Sequence, residues 1–135
     1  MKRFLGVGLV AVMLVVAGFT VARAHEMAGM EKAKTVTVTG EIVDTACYLG
    51  HGAMGEKHKQ CAATCVAAGA PMGLLTEKGV LYLLTPPHEN KDGYNKAKEL
   101  AGSKVAVTGE MNERSGMKSI EVASIKPAAA AAAAK

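Results

Sequence analysis

The sequence lacks tryptophan, and its aromatic residues are limited to three tyrosines and two phenylalanines. Proteins that bind single-stranded nucleic acid stack bases on aromatic side chains, so this shortage argues against that class. The net charge of +4 does not favour it either. Three of the sixteen basic residues lie in positions 1–24 and all twelve acidic residues lie beyond them, which leaves 13 minus 12, or +1, for residues 25–135. We therefore expect no nucleic-acid partner.

The motifs of common catalytic sites are also missing. The chain has no Ser-His-Asp signature, no glycine-rich phosphate loop and no H-E-x-x-H motif. Its carboxylates do not occur at spacings typical of general acid–base pairs, since Glu41 and Asp44 flank a strand but indicate no defined site. We therefore expect a protein that is not an enzyme.

The amino terminus has the three parts of a secretory signal peptide. Lys2 and Arg3 supply the positive charge, and residues 4–21 form an uncharged apolar run. Residues 22–24 (Ala-Arg-Ala) then present small side chains for cleavage before His25. The run approaches the length of a membrane span, but three glycines interrupt it and the Ala-x-Ala triplet favours cleavage. We expect a periplasmic or secreted protein that does not span the membrane after cleavage.

The mature chain divides into three parts by composition. Residues 25–34 are small and polar and predict a flexible leader. Residues 127–135 are an alanine-rich segment, for which we expect a disordered tail. The folded domain is predicted between them, over residues 35–126. Its β-branched and alternating segments predict strands, and one segment with helical spacing predicts a helix; the strands are 35–43, 72–76, 79–85, 104–110 and 118–125, and the helix is 92–101.

This element order resembles the OB-fold, a five-stranded Greek-key barrel with a helix between its third and fourth strands. The resemblance depends also on two V-x-V-T-G-E strands, at residues 36–41 and 105–110, which are similar to strands of small exported bacterial OB-fold proteins, many without assigned function. Gly40 is expected to mark a bulge or a sharp bend. An insertion at residues 45–72 departs from a minimal OB-fold. An unrelated small β-barrel or an α+β fold remains an alternative.

The insertion carries a cluster of potential metal ligands, namely Cys47, His51, His58, Cys61 and Cys65. A helix predicted over residues 56–68 places the last three on one face, and a glycine-containing loop supplies the first two. Thiolates combined with imidazoles suit Zn²⁺ or Cu(I). We therefore predict a soft-metal site, while haem is less favoured because Cys65 is followed by valine and the covalent C-x-x-C-H motif is absent.

The three cysteines also allow two readings without a metal. In an oxidising compartment Cys47 would form a disulfide with Cys61 or Cys65 and so link the insertion covalently to the barrel. The third cysteine would then remain a free thiol. The chain would then be an interaction module for an envelope protein. Alternatively, Cys61 and Cys65 would form a redox-active pair. A second, weaker copper candidate is the new terminus at His25, with its nearby methionines.

Overall fold

The computed structural model describes residues 34–128. The predicted signal peptide, most of the leader, the His25 terminus and residues 129–135 lie outside these residues. The elements of the described chain are β1 (Lys34–Asp44), α1 (Thr45–His51), a 3₁₀ turn (Glu56–His58), α2 (Lys59–Ala67), β2 (Met72–Leu75), β3 (Leu81–Thr85), α3 (Asp92–Glu99), β4 (Lys104–Arg114) and β5 (Met117–Pro127). Within this part of the chain no helix is both long and apolar enough to cross a membrane.

The five strands close into a barrel in the order β1-β2-β3-β5-β4. All neighbouring strands are antiparallel except β3 and β5, which are parallel. The mainly β architecture predicted from the alternating segments is confirmed, with three α-helices accompanying the barrel. Both V-x-V-T-G-E segments lie side by side, because β1 pairs with β4 and Gly40 is opposite Val105.

The core fills the barrel with aliphatic side chains from every strand. The largest fully buried members are Ile42, Val43, Val66, Met72, Leu74, Val105, Val107, Ile120 and Val122, and β3 contributes Leu84, which is 2% exposed. Val66 belongs to α2, so the segment between β1 and β2 shares the core of the barrel. That shared burial fixes α2 against the strands, since each fully buried aliphatic side chain contributes about 1.5–3 kcal/mol.

One local expectation from the sequence is wrong, because Cys47 and His51 lie on α1, whereas a loop was expected there. The helix expected over residues 56–68 is confirmed as a 3₁₀ turn followed by α2. Strands β4 and β5 extend beyond the predicted strands 104–110 and 118–125, so that the turn between them contracts to Ser115 and Gly116, both with positive φ.

Gly40 is explained by a close approach between strands. It keeps regular register opposite Val105, and the register shift between β4 and β5 lies instead at Thr108/Gly109. An ideal Cβ on Gly40 would lie 2.5 Å from the carbonyl oxygen of Leu75, which is backbone and unable to move alone. The close packing of β1 against β2 therefore requires glycine at position 40, the glycine of the first V-x-V-T-G-E segment.

We expect Gly40→Ala to lower the free energy of unfolding by about 1–3 kcal/mol, the usual range for overpacking a buried site. Gly50→Ala is the matched control, because Gly50 lies on α1 and its Cβ would meet nothing within 4 Å. The control is expected to be neutral or to gain up to about 1 kcal/mol from helix propensity. Urea unfolding measures both, and equal stability of the two variants would contradict this account.

Candidate metal centre

The three cysteines of the chain converge on one point. The sulfur atoms of Cys47, Cys61 and Cys65 all lie within 4.8 Å of one another. Zinc–sulfur bonds of about 2.3 Å in a tetrahedral site place sulfurs about 3.8 Å apart. Side-chain rotation that shortens the sulfur separations by at most about 1 Å would therefore bring all three into the coordination sphere of a single ion.

Cys61 and Cys65 are positioned by the packing of α2. Its residues Ala62 and Val66 are buried in the barrel core, 8% and 2% exposed. The cysteines each precede one of these residues by one position, so they lie one turn apart on the neighbouring face of the helix. The helix ends where the N–H of Gly69, at φ 103°, donates to the carbonyl of Val66 at 3.0 Å.

Cys47 is positioned by the start of α1, which follows β1 without a linker. Asp44 is the last residue of the strand and the N-cap of the helix, and its carboxylate accepts from the Ala46 N–H at 2.9 Å. The N–H and the hydroxyl of Thr45 both donate to the carbonyl of Pro71, each at 3.0 Å. The first turn of α1 is thus tied to the segment that follows α2, which brings Cys47 to the other two cysteines.

Glu41 fixes the loop that joins the two helices. Its carboxylate accepts a 2.6 Å hydrogen bond from the N–H of Gly55, which directly precedes the 3₁₀ turn. On the other side of the loop, Gly52 adopts φ 67° and closes α1 by donating to Tyr48 at 2.8 Å. Gly52 and Gly55 thus bound the short loop between α1 and the 3₁₀ turn, and a β1 side chain holds this loop.

Asp44 is also the electrostatic centre of the cluster. Burial alone would raise the pKa of its carboxyl, but hydrogen bonds from the Cys47 thiol, the Ala46 N–H and the Cys65 thiol outweigh burial and hold this pKa below its ordinary value of 3.8. The same hydrogen bond, followed by burial, raises the pKa of Cys47 to about 12. The pKa of Cys65 is raised for the same two reasons, with an added contribution from Cys61.

The structure brings together three of the five predicted ligands. His51 ends α1 and His58 ends the 3₁₀ turn; both are exposed, and neither belongs to the group of converging donors. The three cysteines are free thiols, so no disulfide staple is formed in this structure.

Asp44 and Glu41 are the site residues that sequence reasoning missed. Both are carboxylates that flank a strand in the sequence, but nothing in the strand pattern connects them to the cysteines. A signal was present for Asp44, because Asp directly before a helix is a preferred N-cap. The loop predicted for Cys47 and His51 hides this signal.

Comparisons with known proteins return no match among family models, curated proteins or solved structures. The resemblance to small exported OB-fold proteins thus stays a prediction from sequence. What the site can do has to be derived from its own residues.

In the metal-free, reduced protein we expect iodoacetamide to modify Cys47 slowly at pH 8. A pKa of about 12 leaves little reactive thiolate, and that fraction grows as the pH rises toward 12. Alkylation should be at least roughly tenfold slower than in urea-unfolded protein, because the loss of thiolate exceeds the gain in nucleophilicity. Trypsin releases Cys47 in peptide 35–57, apart from the other cysteines, so peptide mass spectrometry reads its rate separately. Equal rates in folded and unfolded protein would contradict the expectation.

Proposed function

We propose that this chain is a small exported protein that binds one soft metal ion, zinc or copper, through Cys47, Cys61 and Cys65. The convergence of the three sulfurs within 4.8 Å carries the proposal. The cysteines come from two separate helices, and each helix is held by its own burial or hydrogen bonds. Thiolates are the ligands that both ions accept readily.

The geometry favours a single ion over haem. Haem iron takes protein ligands only at its axial positions, on opposite faces of the porphyrin ring. Three sulfurs within 4.8 Å of one another cannot occupy such positions together. They do lie within about 1 Å of the spacing around one tetrahedral ion.

The barrel serves as the support of the site. We propose an OB-like Greek-key barrel in which residues 45–72 form the helical insertion that carries the ligands. Both ends of this segment are strands of the barrel that pair with each other, Asp44 with Met72. A metal site built on helices packed against a barrel holds its ligands more firmly than one built on an open loop.

Export gives metal binding a chemical consequence. We propose cleavage before His25 and a periplasmic or secreted location, where thiols are prone to oxidation. A thiolate attacks an oxidant or a disulfide with its free electron pairs. Coordination to a metal engages those electrons, so the occupied site would keep three neighbouring cysteines from pairing with one another.

The test is the intact mass and metal content of the full chain, expressed with export and purified without chelators. We expect a chain that begins at His25 and contains about one zinc or copper ion, as tetrahedral thiolate sites do. Cys47→Ser, Cys61→Ser and Cys65→Ser should each reduce the metal content by roughly tenfold or more. Thr64→Ala is the matched control, because Thr64 is exposed on α2 between the two cysteines and should retain the ion.

The alternatives predict a different mass. A disulfide-stapled interaction module or an oxidised redox pair would be two daltons lighter, without an ion, and would not take up Zn²⁺ or Cu(I) after reduction. That result would overturn the proposal. Urea unfolding of each metal-free variant checks that the serine substitutions leave the fold intact, and added metal should raise Tm only in chains with all three cysteines.

A further inference from the structure

The three cysteines of the cluster differ in their access to solvent. Cys61 is exposed, whereas Cys47 and Cys65 are partly buried. The sulfurs nevertheless lie within 4.8 Å of one another, so the cluster reaches the protein surface at Cys61. A molecule that approaches the bound ion from solvent would therefore meet Cys61 first.

The two cysteines that lie near helix starts are constrained to different degrees. Cys47 lies in the first turn of α1, whose N-cap Asp44 accepts the 2.9 Å hydrogen bond from the Ala46 N–H. Cys61 lies in the first turn of α2, whose N-cap His58 makes no side-chain capping hydrogen bond. A side-chain cap typically contributes about 1 kcal/mol, so the turn that carries Cys61 is the less constrained of the two.

Cys65 is constrained by the end of α2. Its carbonyl accepts a 2.9 Å hydrogen bond from the Ala70 N–H, and the next residue, Val66, is 2% exposed in the barrel core. The buried Ala62 holds the helix in the same way beside Cys61. Release of Cys61 from an ion therefore needs only rotation of an exposed side chain, whereas release of Cys65 disturbs a partly buried one.

We infer that Cys61 is the exchange ligand of the site, the one that an external thiol replaces when the ion enters or leaves. This inference rests on the proposed metal-binding function and extends it by naming the chemical class of the metal donor and acceptor. In the exchange, the ion forms a bond to the sulfur of the incoming thiol, and its bond to the Cys61 sulfur breaks. The proton of the incoming thiol passes to the released Cys61 thiolate, and no electron is transferred.

Softness and charge favour a thiol as the incoming group. Soft ions are selected by sulfur ligands, and replacement of one thiolate by another keeps both the sulfur count and the charge around the ion. The exposed segment before Cys61 carries two lysines and one glutamate, Glu56, Lys57 and Lys59. This local positive charge favours the approach of an anionic thiolate.

Chemical rescue of alanine variants tests the role of Cys61 in the full chain. Cys61→Ala and Cys65→Ala form the matched pair, because both residues lie on α2 one turn apart, and Cys47→Ala is a second control. Zn²⁺ affinity is measured anaerobically by competition with a chromophoric chelator, with and without roughly 10 mM 2-mercaptoethanol, of the order of the effective concentration of a tethered group. Ethylene glycol, in which oxygen replaces the sulfur, is the control additive. Each affinity is compared with that of the parent chain in the same solution.

Without thiol, we expect each variant to bind Zn²⁺ at least roughly tenfold more weakly than the parent chain. With thiol, Cys61→Ala should recover to within about threefold of the parent, since an external sulfur reaches that position from solvent. Cys65→Ala and Cys47→Ala should stay weakened, because the external thiol would have to enter a partly buried position. Recovery with 2-mercaptoethanol alone would identify the partner as a small thiol, and recovery also with glutathione would extend it to thiols carried on peptides.

The parent chain supplies a second measurement that needs no variant. The rate at which Zn²⁺ passes from the loaded chain to the chelator should rise with the thiol concentration. A short pulse of iodoacetamide during the transfer should label Cys61 before Cys65. Both lie in tryptic peptide 60–78, in which fragment masses distinguish them.

The outcomes separate this inference from the function on which it rests. If the parent chain binds Zn²⁺ but thiol rescues no variant, or rescues Cys61→Ala and Cys65→Ala equally, the function stands and the exchange ligand is not Cys61. A transfer rate independent of thiol, or full Zn²⁺ affinity of Cys61→Ala without thiol, also overturns the inference. A parent chain that binds neither Zn²⁺ nor Cu(I) overturns both proposals. Urea unfolding of each metal-free variant checks the fold, and the parent measurement decides if a variant does not fold.

Discussion

The site depends on the junction at which β1 becomes α1. Asp44 ends the strand in register with Met72 and caps the helix in the same step, with φ −69° and ψ 118°. No linker separates the two elements, so the direction of α1 is set by the barrel. Because Thr45 is bonded to Pro71, the chain that leaves the barrel at β1 and the chain that returns at β2 are joined at their bases. The three cysteines lie in the segment between these two hydrogen-bonded ends.

The insertion and the barrel stabilise each other, because they share one buried core. Ala62 and Val66 of α2 are buried in the same core as the strands, and Gly102, after α3, allows close contact with Lys59 at the start of α2. Glu41 of β1 holds the loop between the helices through Gly55. Loss of barrel stability should therefore loosen the cluster, since its helices have few contacts of their own.

The sequence predicted the barrel more completely than the site. Strand alternation and turn glycines are local signals, and they located all five strands, because β-branched residues are selected position by position. The cysteine spacing likewise indicated the α2 face. What escaped prediction depends on tertiary contacts: α1 is only seven residues long and too short to be stable in isolation. The helix α1 is stabilised by its N-cap and by the hydrogen bonds from Thr45 to Pro71, which lie 26 positions apart in sequence.

The same limit explains why Glu41 and Asp44 could not be assigned a role. Each is a polar residue in the last four positions of β1, where carboxylates ordinarily meet solvent. The contacts of Glu41 with Gly55 and of Asp44 with the Cys65 thiol exist only once the insertion has folded back over β1. The spacing of these residues along the chain does not show that the insertion folds back over β1.

The choice of aspartate at position 44 bears on what the junction is for. Serine, threonine or asparagine would cap α1 about equally well and would avoid burying a charge. A carboxylate that is 3% exposed costs desolvation energy that capping alone does not require. In the metal-free chain, the thiols of Cys47 and Cys65 and the backbone N–H groups offset that cost. The buried carboxylate therefore links the start of α1 to the protonation of the two thiols.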